Sequence, residues 1–253
     1  MIGSAKNFSR RGFLGAAAAG AVLAGCSTNP VTHRSQFILI DDSQLQTAAL
    51  QAWNTQVQRE RTWRNTAAQA RLERVGGRIV TAAGRGNQTW EFRLFDSDEK
   101  NAFVLPANKV GFYRGLYEIC DVDDYIACVL GHETGHVLGR HAAERYSREM
   151  ATQTALSVAG SAVNSNIATA ALGLGAQVGL SLPFSREQEA EADIVGIDLM
   201  HSAGYDVKQA IPFWQRMAQS GSRPPEFLST HPDPDNRIAR IRAHINERGW
   251  GPV

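Results

Sequence analysis

Cysteine is scarce in this chain. Its 253 residues include three, too few for the disulfide framework that staples a small secreted domain. Charge of one sign is also missing. A formal net charge of +1 leaves no clustered excess of lysine and arginine for phosphate binding, which argues against a nucleic-acid partner. Beyond the N-terminus there is no apolar run of the ~20 residues that span a bilayer; the stretch from Ile167 to Leu182 is short and contains Gln177. What remains, 43% apolar and 20% charged residues, is ordinary globular composition, at a length that buries one sizeable core.

The first 25 residues read as an export signal. Ser9-Arg10-Arg11-Gly12-Phe13-Leu14 is a twin-arginine pattern, and the apolar run from Gly12 to Leu23 is too short to span a membrane. Leu23-Ala24-Gly25-Cys26 resembles a bacterial lipobox, which makes Cys26 the expected lipidated first residue of the mature protein. Ser27 is not the aspartate associated with inner-membrane retention, so the expectation is a periplasmic protein, lipid-anchored to the outer membrane. The competing reading is an uncleaved amphipathic anchor, which the small residues at the cleavage site disfavour. Residues 26–40 would then be a linker and 41–253 the functional domain.

The most informative stretch is His132-Glu133-Thr134-Gly135-His136. HExxH on a helix sends both imidazoles from one face towards a single Zn²⁺, and leaves the intervening glutamate to act on water as a general base. Asp121-Val122-Asp123-Asp124 offers an N-cap and an acidic first turn, and Tyr125, Ile126, Val129, Leu130, Val137 and Leu138 recur at helical spacing. The bland alternative is a buried helix whose histidines are hydrogen-bonded and bind nothing. A catalytic zinc needs a third protein ligand, and the acidic segment 184–193 can supply one. Glu189 and Asp193 are one helical turn apart, so Glu189 could bind metal while Asp193 accepts a ring N–H from a ligand histidine. An ordinary solvated acidic helix is the other reading.

HExxH, then SRxxExxAD about fifty residues later, then a His-Pro pair near the C-terminus, resembles the zinc metallopeptidases that include HtpX and the CAAX prenyl proteases, metallopeptidase family forty-eight. That resemblance implies Glu189 as third ligand and Asp193 as the group behind a histidine. It also implies that Asn101-Ala102-Phe103 lies on the strand bordering the cleft, with Arg114-Gly115-Leu116 and the His231-Pro232…Arg237 segment as further family features. The turn Pro106-Ala107-Asn108-Lys109 departs from it by lacking the paired glycines that often follow the strand. The soluble lipoprotein branch is the nearer comparison, since membrane-embedded members carry several spanning helices.

Further elements follow from periodicity. Helices are expected at about 42–59 and 64–82, with Leu45, Ala48, Leu50, Trp53 and Val57 as one apolar set. Strands are expected around Trp90–Leu94, Ala102–Leu105 and Val110–Tyr113. Residues 151–183, rich in Ala, Gly and Ser, read as a helical hairpin, a lid or a loose connector. Cys120 and Cys128 read as packing residues, ~12 Å apart if both lie on the helix and so unable to pair. The expected fold is therefore α+β, a mainly helical gluzincin-type domain with a small sheet beside the zinc helix. The expected function is a one-zinc endopeptidase acting on misfolded or misassembled envelope proteins. The runner-up is a zinc-dependent assembly factor or chaperone-like binder, against which retention of Glu133 counts. His231 has three readings: donor to the developing oxyanion, a role that Arg237 could supply instead; self-inhibitory ligand in the open zinc position; or cap of the following helix.

Overall fold

The structure, a computed structural model, describes residues 26–159, 183–219, 226–231 and 234–252. The expected signal segment and most of the 151–183 stretch lie outside the described residues. The chain is mainly helical with two small sheets. Helix α1, Asp42–Arg59, starts where Asp41 accepts from the Gln44 amide at 2.9 Å, and α2, Thr66–Ala82, where Asn65 does the same for Ala68. The buried stripe of α1 is Ala48, Ala49, Ala52, Trp53 and Gln56. Leu50, placed in that set by the sequence reading, faces outward and is 41% exposed; two residues past Ala48, it sits on the opposite side of the helix.

Strands β3 (Glu91–Phe95), β4 (Ala102–Leu105) and β5 (Lys109–Tyr113) form a sheet in the order β3–β5–β4, with β5 parallel to β3 and antiparallel to β4. Strand β4 is therefore an edge. The β4–β5 turn places both Ala107 and Asn108 in left-handed backbone, at φ 73° and 61°. Paired glycines would relieve this conformation; here Asn108 tolerates it and Ala107 carries the strain.

After the short helix α3 (Arg114–Tyr117) comes α4, Asp123–Leu138, in which every residue from Tyr125 to His136 is buried. Its N-cap is Val122, without a side-chain cap bond, rather than an aspartate. Asp123 is instead held by Arg71 and Arg74, each at 2.7 Å. Cys120 precedes α4, and both it and Cys128 are buried and free. Helix α5 (His141–Ala159) follows at once, and α6 (Arg186–Ser202) opens with a capping box between Ser185 and Gln188. A 3-10 turn, Val207–Gln209, leads to α7 (Ala210–Gln219), and α8 (Glu226–Thr230) and α9 (Pro234–Glu247) complete the domain.

Helices α4 and α6 meet backbone to backbone, because glycine leaves no side chain between them. A Cβ on Gly131 would stand 2.7 Å from the Gly196 carbonyl oxygen, and one on Gly196 would stand 2.7 Å from the His132 amide nitrogen. This close crossing brings the acidic face of α6 within reach of the α4 histidines.

Residues 26–40, expected as a linker, contain regular structure. Cys26–Thr28 (β1) and Ser35–Phe37 (β2) pair as an antiparallel hairpin. Gln36 donates to the Gly139 carbonyl at 2.7 Å, capping the end of α4, and Arg34 grips Glu144 at 3.0 and 2.8 Å. Among the described residues, no helix is long and apolar enough to cross a membrane.

Candidate metal centre

Four buried side chains from three places in the sequence converge on one point: His132 and His136 of α4, Glu189 of α6, and His231 just after α8. His132 Nε2 lies 3.1 Å from His136 Nε2 and 3.2 Å from His231 Nδ1. The Glu189 carboxylate stands 3.0 Å from His231 Nδ1, 3.4 Å from His136 Nε2 and 3.5 Å from His132 Nε2. Tetrahedral ligands at zinc's usual bond length are about 3.3 Å apart. The spacing, the donor types and the pairing of nitrogen lone pairs with a carboxylate all fit one Zn²⁺.

The electrostatics ask for a cation in the same place. Burial drives His136 well below the ordinary histidine value and His231 down to about 4, leaving both in the neutral form that binds metal. Burial also acts on His132, but Glu189 and Asp193 outweigh it and raise that ring to about 9. Glu189 is itself opposed by burial, yet the histidines hold it ionised. One positive charge is thus favoured among these groups, a place zinc can take in exchange for a proton.

Behind the ligands, His132 Nδ1 lies 3.0 Å from Asp193 Oδ1. Arg237, offered by the sequence as an oxyanion donor, is fully buried on this rear side, between Glu189 and Asp193. Its guanidinium stacks 4.1 Å over Trp214. It holds both carboxylates, while its Nη1 has no hydrogen-bond partner among the described residues.

Glu133 is different in kind. It is buried, Oε1 has no hydrogen-bond partner among the described residues, and the nearest histidine nitrogen, His231 Nε2, is 3.5 Å away. Burial is the main reason its acidity is weakened, to about 8, with a backbone hydrogen bond from Val104 acting in the opposite direction. Val104 belongs to β4, whose Ala102 and Val104 pack into the main core while Phe103 packs with Trp53, Phe95 and Tyr113. Asn101 precedes the strand and is buried, its carbonyl accepting from the Tyr113 amide at 3.0 Å. Beside β4 lies a cavity of about 440 Å³ bordered by Val104, Pro106, His136, Val137, Ala143 and Phe184.

Residues 66–245 match Peptidase family M48. The chain belongs to that family. All four converging side chains fall inside the matched region of this M48 domain. It is 35% identical over 181 residues to the mitochondrial metalloendopeptidase OMA1 of Schizosaccharomyces pombe, covering 70% of this chain and 52% of that one. It is 33% identical over 190 residues to the beta-barrel assembly-enhancing protease of Yersinia pestis, covering 70% of this chain and 38% of that one. With OMA1 of Saccharomyces cerevisiae the identity is 31% over 237 residues, covering 84% and 67%. The chain thus spans about half or less of the length of the first two relatives. M48 peptidases use zinc, and the cluster has the donor set for it.

Two groups at the M48 site escaped the sequence reading. Phe184 stacks on His136 with ring centres 3.8 Å apart, and His141 Nδ1 lies 2.8 Å from His136 Nδ1. His141 stands five residues after the second motif histidine, a proximity that was the available signal.

Proposed function

We propose that this M48 domain is a zinc endopeptidase in which His132, His136 and Glu189 hold the metal and Glu133 is the general base. The observation that carries it is the convergence of three histidine nitrogens and a carboxylate beside a buried glutamate with an unpartnered oxygen. Zinc, when bound, acts as a Lewis acid on the peptide carbonyl and makes the attacking water more acidic. Glu133, made a stronger base by its burial, takes a proton from that water in its ionised form and returns it to the leaving amine. Arg237 and Asp193 keep Glu189 and His132 in place. Strand β4 offers an edge on which an extended peptide can pair by main-chain hydrogen bonds, which gives affinity with little sequence preference. The cavity beside His136 receives a side chain next to the scissile bond.

His231 Nδ1 stands among the ligand atoms, so we assign it the self-inhibitory role: it holds the fourth position until substrate displaces it. His231→Ala is then expected to raise kcat on unfolded casein. A fall of about 10²–10³ in kcat at unchanged zinc content would instead make His231 the oxyanion donor.

The substrates are misfolded or misassembled envelope proteins, and the enzyme is exported by the twin-arginine route and tethered through lipid on Cys26. Support comes from the N-terminal sequence pattern and from relatives named for beta-barrel assembly. Comparing envelope proteomes from cells expressing wild-type and Glu133→Gln enzyme is expected to give cleavage products with the former alone. Identical peptide maps would refute the proteolytic reading and favour a zinc-dependent assembly factor.

A further inference from the structure

His132 and His136 present one ring nitrogen each to the metal cluster, but their rear nitrogens are held in different ways. His132 meets a carboxylate, Asp193. His136 meets a second imidazole, His141, at 2.8 Å between Nδ1 atoms. With Nε2 of His136 aimed at the cluster, its Nδ1 carries the hydrogen and His141 Nδ1 must accept it. The His141 proton then sits on Nε2, which donates to Glu191 Oε2 at 2.9 Å. His141 is fully buried and its bond to His136 lies away from solvent, while the bond to Glu191 is partly buried.

Glu191 fixes that tautomer only if its carboxylate is held still, and three residues of one turn hold it. Thr32 Oγ1 donates at 2.6 Å, Arg34 Nε at 2.9 Å and Nη2 at 3.2 Å, and Asn29 Nδ2 at 3.2 Å. All three residues belong to the turn between β1 and β2. Asn29 orders that turn by accepting from the amides of Val31 and Thr32, and its Nδ2 also reaches the Gly139 carbonyl at 3.3 Å. Arg34 is clamped from its other side by Glu144. The hairpin lies outside the family match, which begins at residue 66.

We propose that the β1–β2 hairpin is a working part of the metal site, with Arg34 as a positioning residue that acts through Glu191 and His141 to set the tautomer and orientation of His136. This rests on His136 being a zinc ligand. Outer partners of metal-bound histidines are commonly worth 10–100-fold in metal affinity. The segment that follows Cys26 is then a support for the metal site and not a spacer.

The test is a double-variant cycle in the full chain, read by zinc affinity in competition with a chromophoric chelator and by the visible spectrum of the cobalt-substituted protein. Arg34→Ala and His141→Gln are each expected to weaken zinc binding about 10–100-fold and to alter the cobalt bands. Combined, they are expected to be no worse than His141→Gln alone, because both break one chain of contacts. Glu191→Gln, which keeps the shape of the side chain, is expected to behave like Arg34→Ala and serves if the arginine variant does not fold. Wild-type zinc affinity and cobalt bands in the folded single variants, or effects that multiply in the double variant, would overturn the proposal and leave the hairpin a stabilising contact only. If wild-type protein bound no zinc, or His136→Ala bound it undiminished, the underlying metal assignment would fail instead.

Discussion

Glu133→Gln is expected to abolish proteolysis while leaving zinc and fold in place. The carboxylate touches none of the other side chains that build the cluster closely: Oε1 is unpartnered among the described residues and the nearest histidine nitrogen is 3.5 Å away. Glutamine fills the same volume and can keep one oxygen towards the Val104 amide, so the helix and its burial are undisturbed. It cannot take a proton from water. General acid–base catalysis contributes about 10²–10⁴-fold, and the loss in kcat should fall in that range, with zinc content and melting temperature unchanged. Casein cleavage at the wild-type rate by a zinc-loaded variant would remove Glu133 from the mechanism.

Glu189→Ala is expected to have the larger structural effect. Glu189 is the anion around which three histidines and Arg237 are arranged, and it is fully buried. Its removal leaves the Arg237 guanidinium with Asp193 as its remaining acidic partner in that position and takes away a metal ligand. Breaking a buried charge pair from one side costs about 3–5 kcal/mol, and the loss of metal adds to that wherever zinc binds only the folded chain. Metal analysis should find the variant nearly zinc-free, and urea unfolding should show a much lower midpoint. Full zinc content with wild-type stability would mean that the metal is held elsewhere.

Much of this site was legible in the sequence because its parts are local. His132 and His136 share a helix face by their spacing, as do Glu189 and Asp193, and a one-turn offset needs no knowledge of tertiary structure. Helix α1 starts where its periodicity placed it, whereas α2 starts two residues after the expected 64, because Asn65 caps it by a short-range bond that periodicity does not register. The features that escaped depend on distant partners. The hairpin of residues 26–37 has no hydrophobic period, and Asn29, Arg34 and Gln36 bind groups more than 100 residues away. Arg237 could have faced either side of its helix; only the positions of Glu189 and Asp193 turn it to the rear of the site. Leu50 fell on the wrong face because alanines, not leucines, make the close contact of α1 with the sheet. The left-handed pair Ala107 and Asn108 shows that a turn can form without the glycines that would signal it.

On the proposed function, one zinc held by these residues makes this domain an endopeptidase. The most direct test is to strip the purified protein with a chelator and return zinc stepwise while following both bound metal and casein cleavage. The expected result is no cleavage in the metal-free protein and activity that rises in proportion to zinc until one equivalent is bound per chain. Undiminished cleavage by the metal-free protein, or no cleavage at any zinc occupancy in both wild-type and His231→Ala protein, would contradict it.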